Sequence, residues 1–431
     1  MKRFLFYLSI ILPFLMTVGA RADIEISAPG QQTIPLALTR FLPQAGTSHP
    51  EIAREIEAVL TNDLDFSGIF NLVDPAAFLS DAQKVGLLSI DVDFEQWRML
   101  GAESLIKGTY AVRGDELVVE ARLFDVQRRR LSTGRRYVGK VKDLRRMAHK
   151  FADLVLQELT GIPGPFNTKI AYISMRTGKR ELYLMDSDGF SDQRLTDHRS
   201  IVLNPDFTPD AKQIVYTSYK SGNPDLYRQE LSSGKETILS ARKGLNVTAR
   251  NNPGGDGLAV SLSFEGNPEI YRLSNSGKLN GKLASSWGID INPTWSPDGK
   301  QIAFVSDRQG NPNVFISDVG SNEAERLTHN GKYNATPAWS PRGDRIAFSR
   351  MIDGVFDIYT IRVDGSDERR LTFGGGNSEH PAWSPDGRFL VYTSEWNGRK
   401  SIQVMRADGT GIHRLSPVGV DAQQPAWSLR W

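Results

Sequence analysis

Histidine, serine and carboxylate side chains are the groups that could perform catalysis in this chain, because its 431 residues include no cysteine. Thiol nucleophiles, thiolate metal sites and disulfides are therefore excluded. The histidines are His49, His149, His198, His329, His380 and His413. No two of them have the spacing of metal ligands, so we expect no metal and no cofactor.

Other catalytic motifs are also absent from the sequence. A serine hydrolase needs the pentapeptide G-x-S-x-G, which does not occur; "GTSHP" and "GNSEH", for example, both lack the final glycine. No D-x-D-x-D calcium loop and no phosphate-binding glycine loop occurs. The sequence therefore favours binding over catalysis.

The overall charge is nearly balanced, with 52 basic and 50 acidic residues and a net charge of +2. This balance predicts neither nucleic-acid binding nor adsorption to an anionic membrane. The densest basic run is "QRRRLSTGRR", residues 127–136. A nucleic-acid contact is one interpretation of this run, and an exposed hairpin tip is the other and the preferred one.

The elements that must position these side chains are repeated every 44 residues. Steps of 44 from Trp383 lead to an aromatic residue or to asparagine, at Trp427, Trp339, Trp295, Asn251 and Phe207. A second column is leucine in all six units, at Leu195, Leu239, Leu283, Leu327, Leu371 and Leu415. Each unit contains four short strand-like runs separated by turns such as "SPDG". This pattern is typical of a β-propeller blade.

The ends of the repeat indicate how the propeller closes. The first unit lacks its first strand, because a step back from Phe207 reaches Pro163 in the linker "GIPGPFN". The chain ends in "PAWSLRW", which starts a seventh unit. We therefore expect a six-bladed β-propeller closed by the C-terminal strand, about Pro425 to Trp431, beside Lys169–Ser174. The unit around "ARNNPGGDG" differs from the others, because it lacks the aromatic residue and its turn is richer in glycine and asparagine. The difference reflects either a function of that blade or its tolerance of change.

The front of the chain has two parts. Residues 1–22 have a basic start, an apolar run and the sequence Ala-Arg-Ala, which together predict a secretory signal peptide cleaved between Ala22 and Asp23. Helix and strand patterns then predict a small N-terminal α/β domain, with helices on a mixed sheet, over residues 23–160. Residues 161–168 form the predicted linker, and residues 169–431 form the predicted propeller. We expect an exported, soluble monomer that is not embedded in a membrane.

This domain order, together with the "PAWSPDG…IAF…IY…DG…RLT" units and the export signal, resembles the TolB family of the Tol–Pal system. The resemblance implies a periplasmic protein-binding hub without catalysis. It implies that the propeller binds the peptidoglycan-associated lipoprotein Pal and that the N-terminal segment and domain bind TolA. It further implies roles in outer-membrane integrity and in envelope constriction at cell division, and contacts with other outer-membrane or peptidoglycan-associated proteins.

The resemblance also places two candidate binding sites. Pal is expected over one propeller mouth, where we assign Asn204, Asn246, Thr248, Ile291, Asn292, Asn334, Thr336 and His380. TolA is expected at the N-terminal strand, where we assign Ile24, Glu25, Ile26 and Ser27. This strand pairs either within its own domain or with a partner by edge addition. The alternative function is a propeller hydrolase, a lactonase or a peptidase-like enzyme with its site in the channel.

Overall fold

The computed structural model describes residues 33–44, 48–79, 84, 86–321 and 323–430, which belong to one compact unit. The predicted signal peptide, its cleavage site at Ala22 and Asp23, and the predicted TolA-binding residues Ile24, Glu25, Ile26 and Ser27 lie outside the described residues. Within the described part of the chain, no helix is long and apolar enough to span a membrane.

The N-terminal part of this unit, called here the small domain, is a mixed sheet covered by helices. Its strands are β1 (Ile34–Leu38), β2 (Leu42–Pro43), β3 (Phe70–Leu72), β4 (Ser104–Arg113), β5 (Glu116–Asp125) and β6 (Arg130–Lys140). Its helices are α1 (Pro50–Ser67), α2 (Phe94–Met99) and α3 (Leu144–Thr160), with 3-10 turns at Pro75–Ala77, Ser89–Asp91 and Val141–Asp143. The strand order is β3-β1-β4-β5-β6, and β2 pairs with β4. Strand β1 runs parallel to β3 and β4, whereas β4, β5 and β6 are antiparallel, so the predicted mixed sheet is confirmed.

The two long helices form where the sequence provides starts, stops and one apolar face. Pro50 occupies the first turn of α1, where its missing N–H costs no hydrogen bond. Glycines in the left-handed conformation end both helices, Gly68 at φ 71° and Gly161 at φ 78°. Apolar residues spaced three and four apart, such as Ile52 and Ile56, are buried against the sheet. The small domain therefore has its own core.

The basic run 127–136 differs from its prediction as an exposed hairpin tip. The structure places only its first three residues in the turn, and Arg129 has a φ of 54°. The run from Arg130 onward belongs to β6, which pairs with β5 along its whole length. A register shift interrupts this pairing within the run, between the partners Thr133 and Leu131.

The rest of the chain forms six four-stranded sheets arranged as propeller blades. Blade 1 contains β7 (Lys169–Ser174), β8 (Glu181–Asp186) and β9 (Gln193–Arg194). Blade 2 contains β10 (Val202–Phe207), β11 (Gln213–Ser218), β12 (Asp225–Glu230) and β13 (Glu236–Ser240). Blade 3 contains β14 (Asn246–Asn251), β15 (Leu258–Leu262), β16 (Glu269–Leu273) and β17 (Leu279–Ala284).

The second half of the propeller repeats this plan. Blade 4 contains β18 (Asp290–Trp295), β19 (Gln301–Ser306), β20 (Asn313–Asp318) and β21 (Glu325–Arg326). Blade 5 contains β22 (Tyr333–Trp339), β23 (Arg345–Ile352), β24 (Val355–Arg362) and β25 (Arg369–Arg370). Blade 6 contains β26 (Asn377–Trp383), β27 (Phe389–Trp396), β28 (Arg399–Arg406) and β29 (His413–Arg414). The last strand, β30 (Ala422–Trp427), is the innermost strand of blade 1 and pairs antiparallel with β7.

The repeated apolar columns pack one blade against the next. Trp339 of blade 5, for example, lies in one buried cluster with Ala303 and Val314 of blade 4. Trp383 of blade 6 lies in the next cluster with Ala347 and Ile358 of blade 5. Large buried side chains at blade contacts are the main source of apolar stabilisation in a ring of repeats.

Candidate protein-binding site at the propeller mouth

Strand register brings two kinds of loop to the same end of the propeller. In blade 2, the start of β10 pairs with the end of β11, which in turn pairs with the start of β12. The end of β13 also lies at this end, because Ser240 pairs with Leu226. The loops that join successive blades, and the loops between the second and third strands of each blade, therefore surround one opening. We call this opening the mouth.

A ring of six equivalent residues lines the channel just inside the mouth. Each is the third or fourth residue of an innermost strand, and each has a left-handed backbone: Asn204, Thr248, Asn292, Thr336, His380 and Gln424. The register shows why, because a β-bulge interrupts every innermost strand at this point. In five of the six blades the next residue is proline, which cannot donate to the ladder and is tolerated at a bulge.

Side chains from neighbouring strands hold this ring in place. The backbone N–H of Asn204 donates to Oε1 of Gln424 at 3.0 Å, which joins blade 2 to blade 1. The backbone N–H of Asn292 donates to the hydroxyl of Ser261 at 3.3 Å. Left-handed backbone at non-glycine residues costs free energy, about 1–2 kcal/mol each, and such conformations concentrate at functional sites. The ring is therefore a preformed part of the channel wall.

Five of the eight residues predicted for the Pal site belong to this ring. Ile291 precedes Asn292 in β18, is half-buried and pairs with Val305 of the neighbouring strand β19. Asn246 and Asn334 do not face the channel, because both side chains are completely buried. The amide of Asn246 donates to the backbone oxygen of Arg242 at 2.7 Å. The sequence analysis assigned both residues to the Pal site, whereas the structure buries their side chains among other polar groups.

The Asn334 side chain shows what these buried amides do. Its nitrogen donates to Oδ1 of Asn313 and to the backbone oxygen of Asn330, each at 2.9 Å. Its oxygen accepts from Nε of Arg350 at 2.7 Å. The amide thus satisfies buried polar groups from three segments and stabilises the loop that enters blade 5.

Two polar residues of the channel lining, Gln424 and Arg250, were missed by the sequence prediction. Gln424 is one step of 44 after His380, so the repeat itself could have identified it. Arg250 lines the same channel, with its Nε 4.0 Å from Oδ1 of Asp206 in the neighbouring blade. No repeat column predicts Arg250, because the equivalent position in blades 4, 5 and 6 is threonine or alanine.

His380 is the ring residue with unusual electrostatics. Its Nδ1 is buried and has no hydrogen-bond partner among the described residues. Burial, together with the positive charges of Lys400 and Arg250, lowers the pKa of His380 to about 4. The imidazole is therefore neutral at pH 7.

Large apolar side chains are exposed around the mouth. Exposed apolar residues in the mouth loops or at the adjoining strand ends are Met175, Ile201, Trp287, Ile289, Tyr333, Ile352, Phe373, Trp396 and Val418. The remaining exposed large apolar residues of the described propeller are Phe190, Ile238, Ile412 and Leu429. Trp287 is 75% exposed and Phe373 is 73% exposed, which is unusual for aromatic side chains. This apolar rim has the composition of a protein–protein interface.

The acidic and histidine side chains do not form a metal centre in the described residues. No group of three or more histidine, aspartate or glutamate side chains there could hold a metal ion. The chemistry available at the mouth is hydrogen bonding by the ring and apolar contact by the rim.

Comparison with known proteins identifies both parts of the chain. The family model described as "TolB beta propeller domain" matches residues 156–430, and "TolB amino-terminal domain" matches residues 22–131. The crystal structure of TolB from Acinetobacter baumannii superposes with a TM-score of 0.78 at 27% identity, covering 93% of this chain and 97% of that one.

Curated relatives carry the same name. The "Tol-Pal system protein TolB" of Syntrophotalea carbinolica is 58% identical over 214 residues, which is 50% of each chain. That of Geobacter sulfurreducens is 44% identical over 190 residues, covering 44% of this chain and 43% of the relative. The chain thus spans about half the length of the curated relatives it matches. Because the propeller family model alone covers more than half of its residues, the chain belongs to the TolB family.

Proposed function

We propose that this protein is a non-enzymatic periplasmic binding hub of the Tol–Pal envelope system. Its propeller mouth binds the lipoprotein Pal, and its N-terminal segment and domain bind TolA. In this role it supports outer-membrane integrity and envelope constriction at cell division. Family membership and the relatives named as Tol–Pal proteins support the system, and the mouth supports a binding function.

The observation that carries the Pal proposal is the concentration of exposed apolar side chains around one mouth. Trp287, Phe373 and Trp396 offer large aromatic surfaces, and such residues supply most of the binding energy at protein interfaces. The ring inside the mouth adds polar groups of fixed geometry. An apolar rim around fixed polar groups suits a folded protein partner that covers the opening.

The test is calorimetric binding of residues 23–431 to the soluble domain of Pal from the same organism. We expect a one-to-one complex whose affinity falls about 10-fold or more in W287A/F373A, since each aromatic anchor is worth about 1–2 kcal/mol or more. The pair H380A/N292A, which removes two ring side chains, should also weaken binding. The matched control is I412A, because Ile412 is also exposed but lies in the turn before β29, at the opposite end of the blade.

Each outcome decides between proposals. Binding that survives both mouth variants would keep Pal as the partner and move its site elsewhere. An absence of binding at high concentration would contradict the Tol–Pal partner assignment. A channel enzyme, either a hydrolase or a lactonase, would then be the function to examine.

A further inference from the structure

The small domain contacts the propeller at two patches of different chemistry, and Arg388 of blade 6 also donates to the hydroxyl of Thr160 on α3 at 2.9 Å. The first is mainly aromatic: Phe66 at the end of α1 stacks on Phe389 of blade 6 at 4.5 Å between ring centroids. His413 lies edge-on to the same Phe66 ring, also at 4.5 Å. Arg406 donates from Nε to the backbone oxygen of Phe66 at 3.0 Å. We call this patch, formed by Phe66, Phe389, Arg406 and His413, the aromatic contact.

The second patch is a buried charge cluster formed by Asp63, Arg145, His149 and Asp188. Nδ1 of His149, on α3, is 2.7 Å from Oδ2 of Asp63 on α1. Nε2 of the same ring is 3.2 Å from Oδ2 of Asp188, which lies in the turn after β8 of blade 1. Arg145 also pairs with Asp188 and packs over the Phe190 ring, 3.7 Å from its centroid. The two carboxylates and the imidazole are each at most 5% exposed.

The cluster favours a His149 ring that is protonated on both nitrogens, although the 3.2 Å contact of Nε2 with Asp188 is an ion pair without hydrogen-bond geometry. Each nitrogen faces a carboxylate, and a carboxylate can only accept a hydrogen bond. With His149 charged, the cluster has two cations and two anions. Without that proton, a net negative charge would be buried at the contact between the small domain and blade 1, at a large cost in free energy.

We propose that this charge cluster is a releasable latch between the small domain and the propeller, whereas the aromatic contact is a permanent pivot. A buried ion cluster gains little net free energy, because hydration of the separated charges competes with their pairing. Stacked aromatic surfaces have no such competing hydration. When His149 loses its charge, the cluster opens and the small domain turns about Phe66 while that residue stays on blade 6.

The surrounding charges set the conditions for release. Burial opposes the charged form of His149, but Asp63 and Asp188 outweigh it and raise the pKa of His149 to about 10. Burial raises the pKa of Asp188, but His149 and Arg145 outweigh it and lower this pKa to about 2. Two further acids act on the cluster: Glu55 lies 3.6 Å from Arg145, and buried Asp153 interacts with His149 and Asp63 electrostatically. A folded pKa above the unfolded value means that the contribution of His149 is complete below about pH 6.5 and is lost as pH rises through about 10.

Distance measurement between two spin labels tests the latch directly, because the chain has no cysteine of its own. Labels at R113C in the small domain and K300C in the propeller occupy exposed positions. At pH 7.5 we expect one narrow distance distribution in the otherwise native chain. We expect H149Q to add a second, broad population. The matched control is H413Q, because His413 lies at the aromatic contact and no carboxylate is paired with it in the described residues.

Two additional measurements keep the proposal falsifiable if H149Q folds poorly. D188N removes the propeller half of the latch and should produce the same second population. The native chain at pH 10.5 should also open, whereas H149Q should show no further change with pH. A single unchanged distribution in H149Q, or in D188N if H149Q does not fold, would overturn the proposal. An equal effect of H413Q would overturn it as well, since the aromatic contact would then control the opening.

Discussion

At the scale of single residues, the ring inside the mouth combines backbone strain with polar side chains. Thr248 and Thr336 are β-branched residues in a conformation that such residues rarely adopt. Their hydroxyls bond to Ser261 and Ser349 at 2.7 and 2.8 Å, which compensates part of this cost. The left-handed conformation occurs at the same position in all six blades. The strain therefore follows from the bulge and not from one unusual residue.

His380 gives a pH prediction at this scale. Its lowered folded pKa means that the unfolded chain binds a proton near pH 6.5 while the folded chain binds one only near pH 4. The free energy of unfolding should therefore fall as pH drops from about 6.5 to about 4. We expect H380Q to lose less stability than the native chain over this range, by denaturant unfolding at pH 7.5, 5.5 and 4.5.

The control for this prediction is H329Q, because His329 is exposed in a mouth loop. It should show the same acid dependence as the native chain. Identical acid dependence in H380Q would contradict a neutral, buried imidazole at position 380.

At the scale of elements, five of the six blades have an aromatic residue at the end of the innermost strand, and blade 3 has Asn251 there. Trp383 is 9% exposed, packs against Ile358 of the preceding blade and donates from Nε1 to the backbone oxygen of Ala338 at 3.0 Å. It therefore contributes both apolar burial and one hydrogen bond that crosses to blade 5.

Substitution of Trp383 should separate these two contributions. We expect W383A to lower the free energy of unfolding by about 3–5 kcal/mol, because it leaves a large cavity. We expect W383F to lower it by about 1–3 kcal/mol, since the Ala338 oxygen loses its donor and part of the side-chain volume is removed. Urea unfolding measures both. W396A is the control, because Trp396 is 59% exposed and its loss should change stability by less than about 0.5 kcal/mol.

At the scale of the whole molecule, blade 1 is built from both ends of the propeller segment. Besides the pairing of β30 with β7, Nε1 of Trp427 donates to the hydroxyl of Thr168 at 2.7 Å. The backbone N–H of Lys169 donates to the hydroxyl of Ser428 at 2.9 Å. These contacts join residues that are about 260 positions apart in the sequence.

Removal of the last strand tests how much the molecule depends on this join. Truncation after Pro417 would expose the edge of β7, and an open edge promotes strand-to-strand association. We expect a lower Tm and concentration-dependent oligomers, measured by thermal unfolding and by light scattering after gel filtration. Truncation after Leu429 keeps β30 and is the control. A monomer with native Tm after the longer truncation would contradict a stabilising role for β30.

Much of this architecture was predictable from the sequence. Turn residues and alternating apolar positions act locally, so the columns of Trp383 and Leu371 predicted the blades and their number. Helix starts and stops such as Pro50 and Gly161 are equally local and predicted α1 and α3 close to their observed bounds. The family resemblance implied a binding site at one mouth, and five of the residues assigned to it belong to the ring.

Tertiary structure alone decided which polar residues face the channel and which are buried. Asn292 and Asn334 occur in similar asparagine-containing segments, yet Asn292 lines the channel and Asn334 bonds to three other segments. The two residues occupy different columns of the repeat, since a step of 44 from Asn292 reaches Thr336, but the burial of Asn334 depends on side chains from other strands. The latch is the extreme case, because Asp63, His149 and Asp188 are far apart in sequence and meet only when the small domain packs on blade 1. The repeat, the strands and the order of the two parts could be read from the sequence, since these depend on neighbouring residues. Burial and charge pairing depend on distant residues, so only the folded chain determined them.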